Sequence, residues 1–198
     1  MKRKLLSIAA ALCFIAGAKA QTSYGIKAGL NFSKLNISQG NLSASSDAST
    51  NFYVTGYADL HLANNFSVQP GVSLQGKGGK VVGEDAKLNL MYIEVPVNLV
   101  YSIYTGEVGN IFLGAGPYAG FGVSAKAKSG NITESGSFSD AGLKTFDAGA
   151  NFLAGFKFAN GFLINGGYSL GLTNFSKYPD ETGNFKNRVF SVGVGFQF

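Results

Sequence analysis

The chain has 198 residues, with 16 Lys and Arg against 11 Asp and Glu, 28 glycines and a single cysteine. Four of the bases (Lys2, Arg3, Lys4 and Lys19) and the cysteine, Cys13, fall in the first 20 residues, and no acid does, so the remainder carries 12 bases against 11 acids. That remainder is nearly neutral and free of cysteine, which excludes a disulfide framework and a thiolate metal site and leaves no basic footprint for a nucleic-acid partner.

The opening reads as an export leader. A basic start (Lys2 to Lys4) precedes an apolar stretch from Leu5 to Gly17, and the small residues Ala18 and Ala20 flank Lys19. This predicts a secretory signal peptide cleaved after Ala20, leaving residues 21–198 as one domain. The apolar stretch is shorter than the ~20 residues a spanning helix needs.

Eight segments with a period of two follow. The first, Ser23–Phe32, sets Tyr24, Ile26, Ala28, Leu30 and Phe32 against Lys27 and Asn31. Asn51–Leu62 sets Phe52, Val54 and Leu60 against Tyr53, Tyr57, Asp59 and His61, and Phe66–Lys77 sets Phe66, Val68, Val72 and Leu74 against Ser67, Gln69, Ser73 and Gln75. Leu88–Tyr101 alternates Ile93, Val95, Val97 and Leu99 with Glu94, Pro96 and Asn98, and inward Pro96 is expected to mark a bulge. Asn110–Ser124 is rich in glycine, with Ile111, Leu113, Ala115, Ala119 and Phe121 on its apolar face. Lys144–Phe158 opposes Phe146, Phe152 and Phe156 to Asp147, Asn151 and Lys157, and Gly161–Leu172 carries Phe162, Ile164, Tyr168 and Leu170. The last, Arg188–Phe198, alternates Phe190, Val192, Val194, Phe196 and Phe198 with Ser191, Gly193, Gly195 and Gln197.

Such segments are strands with one greasy and one wet face. The wet face holds ionised groups, so it is a poor pocket for an apolar ligand. It suits the hydrated interior of a barrel whose greasy face meets lipid. The connectors alternate: long at Ser33–Thr50, Gly78–Lys87, Ala125–Leu143 and Thr173–Lys186, short at Ala63–Asn65, Ser102–Gly109 and Ala159–Asn160. Outer-membrane barrels have short periplasmic turns and long outer loops, so this order predicts an eight-stranded antiparallel up-and-down barrel in a Gram-negative outer membrane, both termini periplasmic. Gln39–Thr50, almost free of charge, is expected to be mobile. Aromatic residues near strand ends (Tyr24, Phe52, Phe66, Tyr101, Phe158, Phe162, Phe198) match interfacial girdles.

The run Tyr92-Ile93-Glu94-Val95-Pro96 resembles the Tyr-Ile-Glu-hydrophobic-Pro core of small outer-membrane β-barrel proteins of the Bacteroidetes, the porin-family, PorT-like and OmpX-like group. Gly114–Tyr118, Gly167–Asn174 and Asn187–Gly193 are similar to later strands of that group. The resemblance implies fold and location more than activity. The apolar last strand with terminal Phe198 resembles the signal read by the outer-membrane assembly machinery, carried here by Phe190, Val192, Val194, Phe196 and Phe198.

No catalytic constellation is apparent. The one histidine, His61, has Asp59 on its own face, but their strand places both at the periplasmic end, the wrong end for an outer-leaflet lipid enzyme or a surface protease. No cofactor and no metal site is expected. The scattered loop acids read as solvated charge. Lys27, Asp59, Glu94, Asp147 and Lys157 are predicted to face the lumen, as a salt-bridged plug or as a charged constriction for ions. An eight-stranded interior is just wide enough for side chains to fill, which favours the plug. The expected function is a non-enzymatic surface structural or interaction module. Its partners would be outer-membrane lipid, lipopolysaccharide and the assembly machinery, and as a closed barrel it would be a monomer. The alternatives are a narrow diffusion channel and a PorT-like accessory of protein secretion.

Overall fold

A computed structural model describes residues 22–39, 42–80, 86–130, 132–138, 142–177 and 184–198. The expected leader, with Ala18 and Ala20, lies outside the described residues. The strands are β1 (Thr22–Gln39), β2 (Leu42–Ser45), β3 (Ser49–Ala63), β4 (Phe66–Lys80), β5 (Ala86–Tyr104), β6 (Gly109–Ser129), β7 (Ile132–Gly136), β8 (Phe146–Phe158), β9 (Phe162–Gly171) and β10 (Asn184–Gln197).

Eight long strands pair antiparallel in the order β10-β9-β8-β6-β5-β4-β3-β1, and β10 returns to pair with β1 from Gly25↔Gln197 to Ser38↔Asn184. The sheet is therefore a closed up-and-down barrel without a free edge. Backbone bonds between Tyr24 and Phe198 in both directions, at 3.1 and 2.9 Å, finish the seam. The short strands β2 and β7 fold back on β1 and β6.

The two faces follow the expected parity. Tyr24, Ile26, Leu30, Val72, Ile93, Leu99, Leu113, Phe121, Phe152, Ile164 and Phe190 are exposed on the outside. Asn31, Tyr53, Thr55, Asp59, Gln69, Ser73, Glu94, Asn98 and Asp147 are buried inside. Outward aromatic rings meet near both ends of the strands: Phe32–Phe190 (6.4 Å) and Phe121–Phe146 (5.6 Å) at one end, Phe66–Tyr101 (4.8 Å) and Phe158–Phe162 (5.9 Å) at the other.

Three expectations need correction. The long connectors are partly strand: β1 runs to Gln39, β5 begins at Ala86 and β6 reaches Ser129. The ladder bonds need no lipid, whereas the apolar alternation that marks a strand in sequence stops where lipid stops. Gln39–Thr50, expected to be mobile, contains β2, a bridge from Asp47 to Lys80 and a bond from Ser46 N to Leu35 O at 2.9 Å. Pro96 faces inward but marks no bulge, since the register with β4 and β6 is the same on either side of it; the shift in the β5–β6 pair lies at Met91/Tyr92. A proline's missing N–H removes a ladder bond without requiring an extra residue.

The short connectors are tight. Gly161 takes φ +89° and its N–H bonds Phe158 O at 3.0 Å, a left-handed turn position that a side chain would strain.

Candidate functional site: the lumen

The interior is layered. Towards the long-loop end, Lys77 of β4 reaches across the barrel. Its Nζ lies 2.5 Å from Glu94 Oε1 on β5 and 3.0 Å from Asp147 Oδ2 on β8. It also donates to Tyr118 Oη at 3.2 Å, and that hydroxyl donates in turn to Asp147 Oδ2 at 3.2 Å. Asn187 Nδ2 and Thr173 Oγ1 donate to the two Asp147 oxygens at 3.1 and 2.7 Å. The ammonium sits 4.3 Å over the Tyr118 ring and 5.2 Å from that of Tyr92. One cation and two carboxylates thus tie together β4, β5, β6, β8 and β10. All three charged groups are buried, as charges must be hydrated or paired when taken from water.

Beyond this network an apolar cap fills the mouth. Leu35, Leu90, Tyr92, Ala125, Phe138 and Phe175 form one buried cluster with Leu88, Leu143 and Phe185 against it. Phe138 and Phe175 descend from the connectors after β7 and β9, and Phe138 meets Tyr92 edge-on at 5.1 Å. A Cβ at Gly122 would collide with the Phe138 ring, so only glycine leaves this seat open. The connector after β7 is closed on itself by Leu143 N–Phe138 O (2.8 Å) and tied to the connector after β9 by Lys144 N–Phe175 O (2.7 Å).

Below the network lies a polar cavity of about 70 Å³, lined among others by Lys27, Tyr53, Thr55, Gln75, Asn98 and Asn165. Thr55 and Ser73 share a hydrogen bond at 2.6 Å, and Asn165 donates to Tyr53 Oη at 2.9 Å. Towards the short-turn end, Tyr57, Val100, Phe112 and Leu163 form a second apolar cluster with Leu153.

The large exposed apolar belt has no place in water, and the chain's relatives agree. A family model described as the outer membrane protein beta-barrel domain matches residues 19–177. The chain belongs to this family. No curated protein matches the chain in sequence. Among solved structures, the neisserial surface protein A (NspA) superposes with a TM-score of 0.51 at 16% identity, covering 89% of this chain and 99% of that one. The attachment invasion locus protein Ail of Yersinia pestis gives 0.48 at 16% identity over 89% and 98%, and OprG of Pseudomonas aeruginosa 0.47 at 13% over 90% and 97%.

The outward belt of this outer-membrane barrel is accordingly its lipid face, and its ionised groups lie in the lumen. The five lumen charges read from sequence separate into two groups. Glu94 and Asp147 share the network, joined by Lys77. Sequence reasoning missed Lys77 as a site residue, although alternation from Ser73 and Gln75 points it inward. Lys27, Asp59 and Lys157 line a small pocket near the other end, with Tyr57, Gln69 and Gln197. Register places Lys27 opposite Thr55 and Asp59 opposite Ser23, and among the described residues no ion pair joins the two. Lys27 instead caps the Tyr57 ring at 4.3 Å, and Asp59 Oδ2 accepts from Gln197 Nε2 at 3.0 Å. His61 stands near the short-turn end of β3 opposite Ser67. Among the described residues no three His, Cys, Asp or Glu side chains gather as a metal site. Phe190, Val192, Val194, Phe196 and Phe198 all face lipid.

Proposed function

We propose that this chain is a non-enzymatic outer-membrane barrel with a closed lumen, working through its long-loop end as a surface structural or interaction module. Both termini lie on the periplasmic side, because the short turns do. The observation that carries this reading is the stack inside the barrel: an apolar cap above a paired Lys77–Glu94–Asp147 network, with small polar cavities beneath. An ion would have to displace Phe138 and Phe175, then break a buried ion pair. The single histidine at the periplasmic end offers no base to the outer leaflet. The last strand, with five residues facing lipid, suits recognition by the assembly machinery, and the closed ladder suits a monomer.

Planar-bilayer recording tests this. An electrically silent, folded barrel is the expected result. Steady unit conductance that changes in Lys77 or Glu94 variants would establish the diffusion channel instead. Loss of secreted cargo on deletion of the gene would move the protein to the secretion accessories.

A further inference from the structure

The outer surface of the seam carries a built polar site that the lumen reading does not use. Lys34 on β1 stands directly opposite Arg188 on β10, and Asn36 opposite Lys186. These residues share the outward face, for Lys34 continues the alternation Leu30, Phe32, and Arg188 and Lys186 precede Phe190 and Val192. Like charges directly opposite on paired strands repel. Among the described residues no carboxylate forms an ion pair with Lys34, Lys186 or Arg188.

An open recess of about 410 Å³ lies beside the pair, lined by Asn36, Leu172, Asn174, Asn184, Lys186 and Arg188. Its amide rim is held in place. Asn174 Nδ2 donates to Asn184 Oδ1 at 2.7 Å, and Asn174 Oδ1 accepts from Ser176 N and Phe185 N at 3.0 and 2.9 Å. The floor is apolar: Phe32 and Phe190 meet one step down the strands, and exposed Tyr168 on β9 stands opposite Phe190. Cations and amides therefore stand immediately above the last lipid-facing rings, at the depth of the headgroups.

A second basic row offers a contrast. Lys80, Lys87 and Lys128 are also opposite one another. Gly78, Asn89 and Lys126 stand directly below them on the same face, and the first apolar side chains, Leu74 and Met91, come only further down, so no apolar side chain adjoins this row.

We propose that Lys34, Lys186 and Arg188 bind the phosphate of an outer-leaflet lipid, whose acyl chains lie on Phe32, Phe190 and Tyr168. The fork of Arg188 matches phosphate oxygens, and the two ammonium groups supply the remaining charge. The bound anion relieves the Lys34–Arg188 repulsion and fastens the seam. The proposal rests on the membrane placement and the outward orientation of the long-loop end, and is independent of whether the lumen conducts.

Native mass spectrometry of the barrel in detergent, with added lipid A carrying both phosphates, tests it. A one-to-one adduct is expected, about tenfold weaker in K34Q/K186Q/R188Q, the scale of losing charge-assisted bonds, and unchanged in K80Q/K87Q/K128Q. Equal retention by the K34Q/K186Q/R188Q variant overturns the site. Equal retention of dephosphorylated lipid A overturns the role of phosphate, and displacement of the lipid by inorganic phosphate alone overturns its lipid origin. Heat-modified gel migration confirms folding, and single R188Q and K34Q variants give the same readout should the triple variant not fold.

Discussion

Lys77 and Asp147, 70 residues apart in the chain, face each other across the barrel with 3.0 Å between ammonium and carboxylate and no exposed surface to speak of. Removing one member of such a pair strands the others. Lys77→Met should cost about 3–5 kcal/mol, the usual scale for breaking a buried ion pair. The variant K77M/E94Q/D147N should recover most of this, since no buried charge is left alone. Urea titration followed by heat-modifiable gel migration measures both, and equal loss in the two variants would show that packing rather than charge sets the cost.

The cap makes a separate prediction. Phe138→Ala should leave the mouth open and expose the connector after β7 to protease from outside. Gly122→Val should have the same effect by a different route, because its side chain would occupy the seat of the Phe138 ring. Limited proteolysis of intact cells reads this directly. Protection equal to wild type in both variants would mean that Phe138 does not hold the connector down.

Lys87 lies between two other lysines, Lys80 and Lys128, beyond the lipid belt. Partial burial and these two neighbours push its pKa below the usual lysine range. Between that lowered pKa and the ordinary lysine value of ~10.4 the unfolded chain binds more protons, so stability should rise with pH through this window. Lys87→Gln should flatten the rise and gain about 0.2–1 kcal/mol, the usual cross-strand magnitude. Urea midpoints on either side of the window check it.

Phe198, 72% exposed at the end of the seam, separates stability from assembly. Phe198→Ser should leave refolding in detergent close to wild type, because the ring contacts lipid rather than core. It should lower the amount of barrel reaching the outer membrane of growing cells. An unchanged cellular yield would remove Phe198 from the assembly signal.

The strands were legible because lipid outside and water inside impose a strict alternation, clearest in Phe190 to Phe198. That signal changes beyond the bilayer, where the outer face meets water and Leu35 and Ala125 turn inward to the cap, and so the extensions of β1, β5 and β6 read as loop. Lys77 was missed for a related reason. It closes the period-two run of its strand, where an edge lysine reads as a solvated end, and only closure of the barrel brings Glu94 and Asp147 to it. The cap was hidden in connectors judged by their average polarity. The isolated aromatics Phe138 and Phe175 were the available sign, since a wholly solvated loop has no use for them.

The bonds between Tyr24 and Phe198 bear on how the molecule comes into being. The first strand made is the one that waits longest for its neighbour, through every intervening hairpin, and this is the costliest loop in the molecule to close. Hairpins can zip locally and early, while the seam depends on the most distant residues in the sequence, so joining should be the late and slow event. A nascent sheet with its two margins still apart is the species that a cell must shelter.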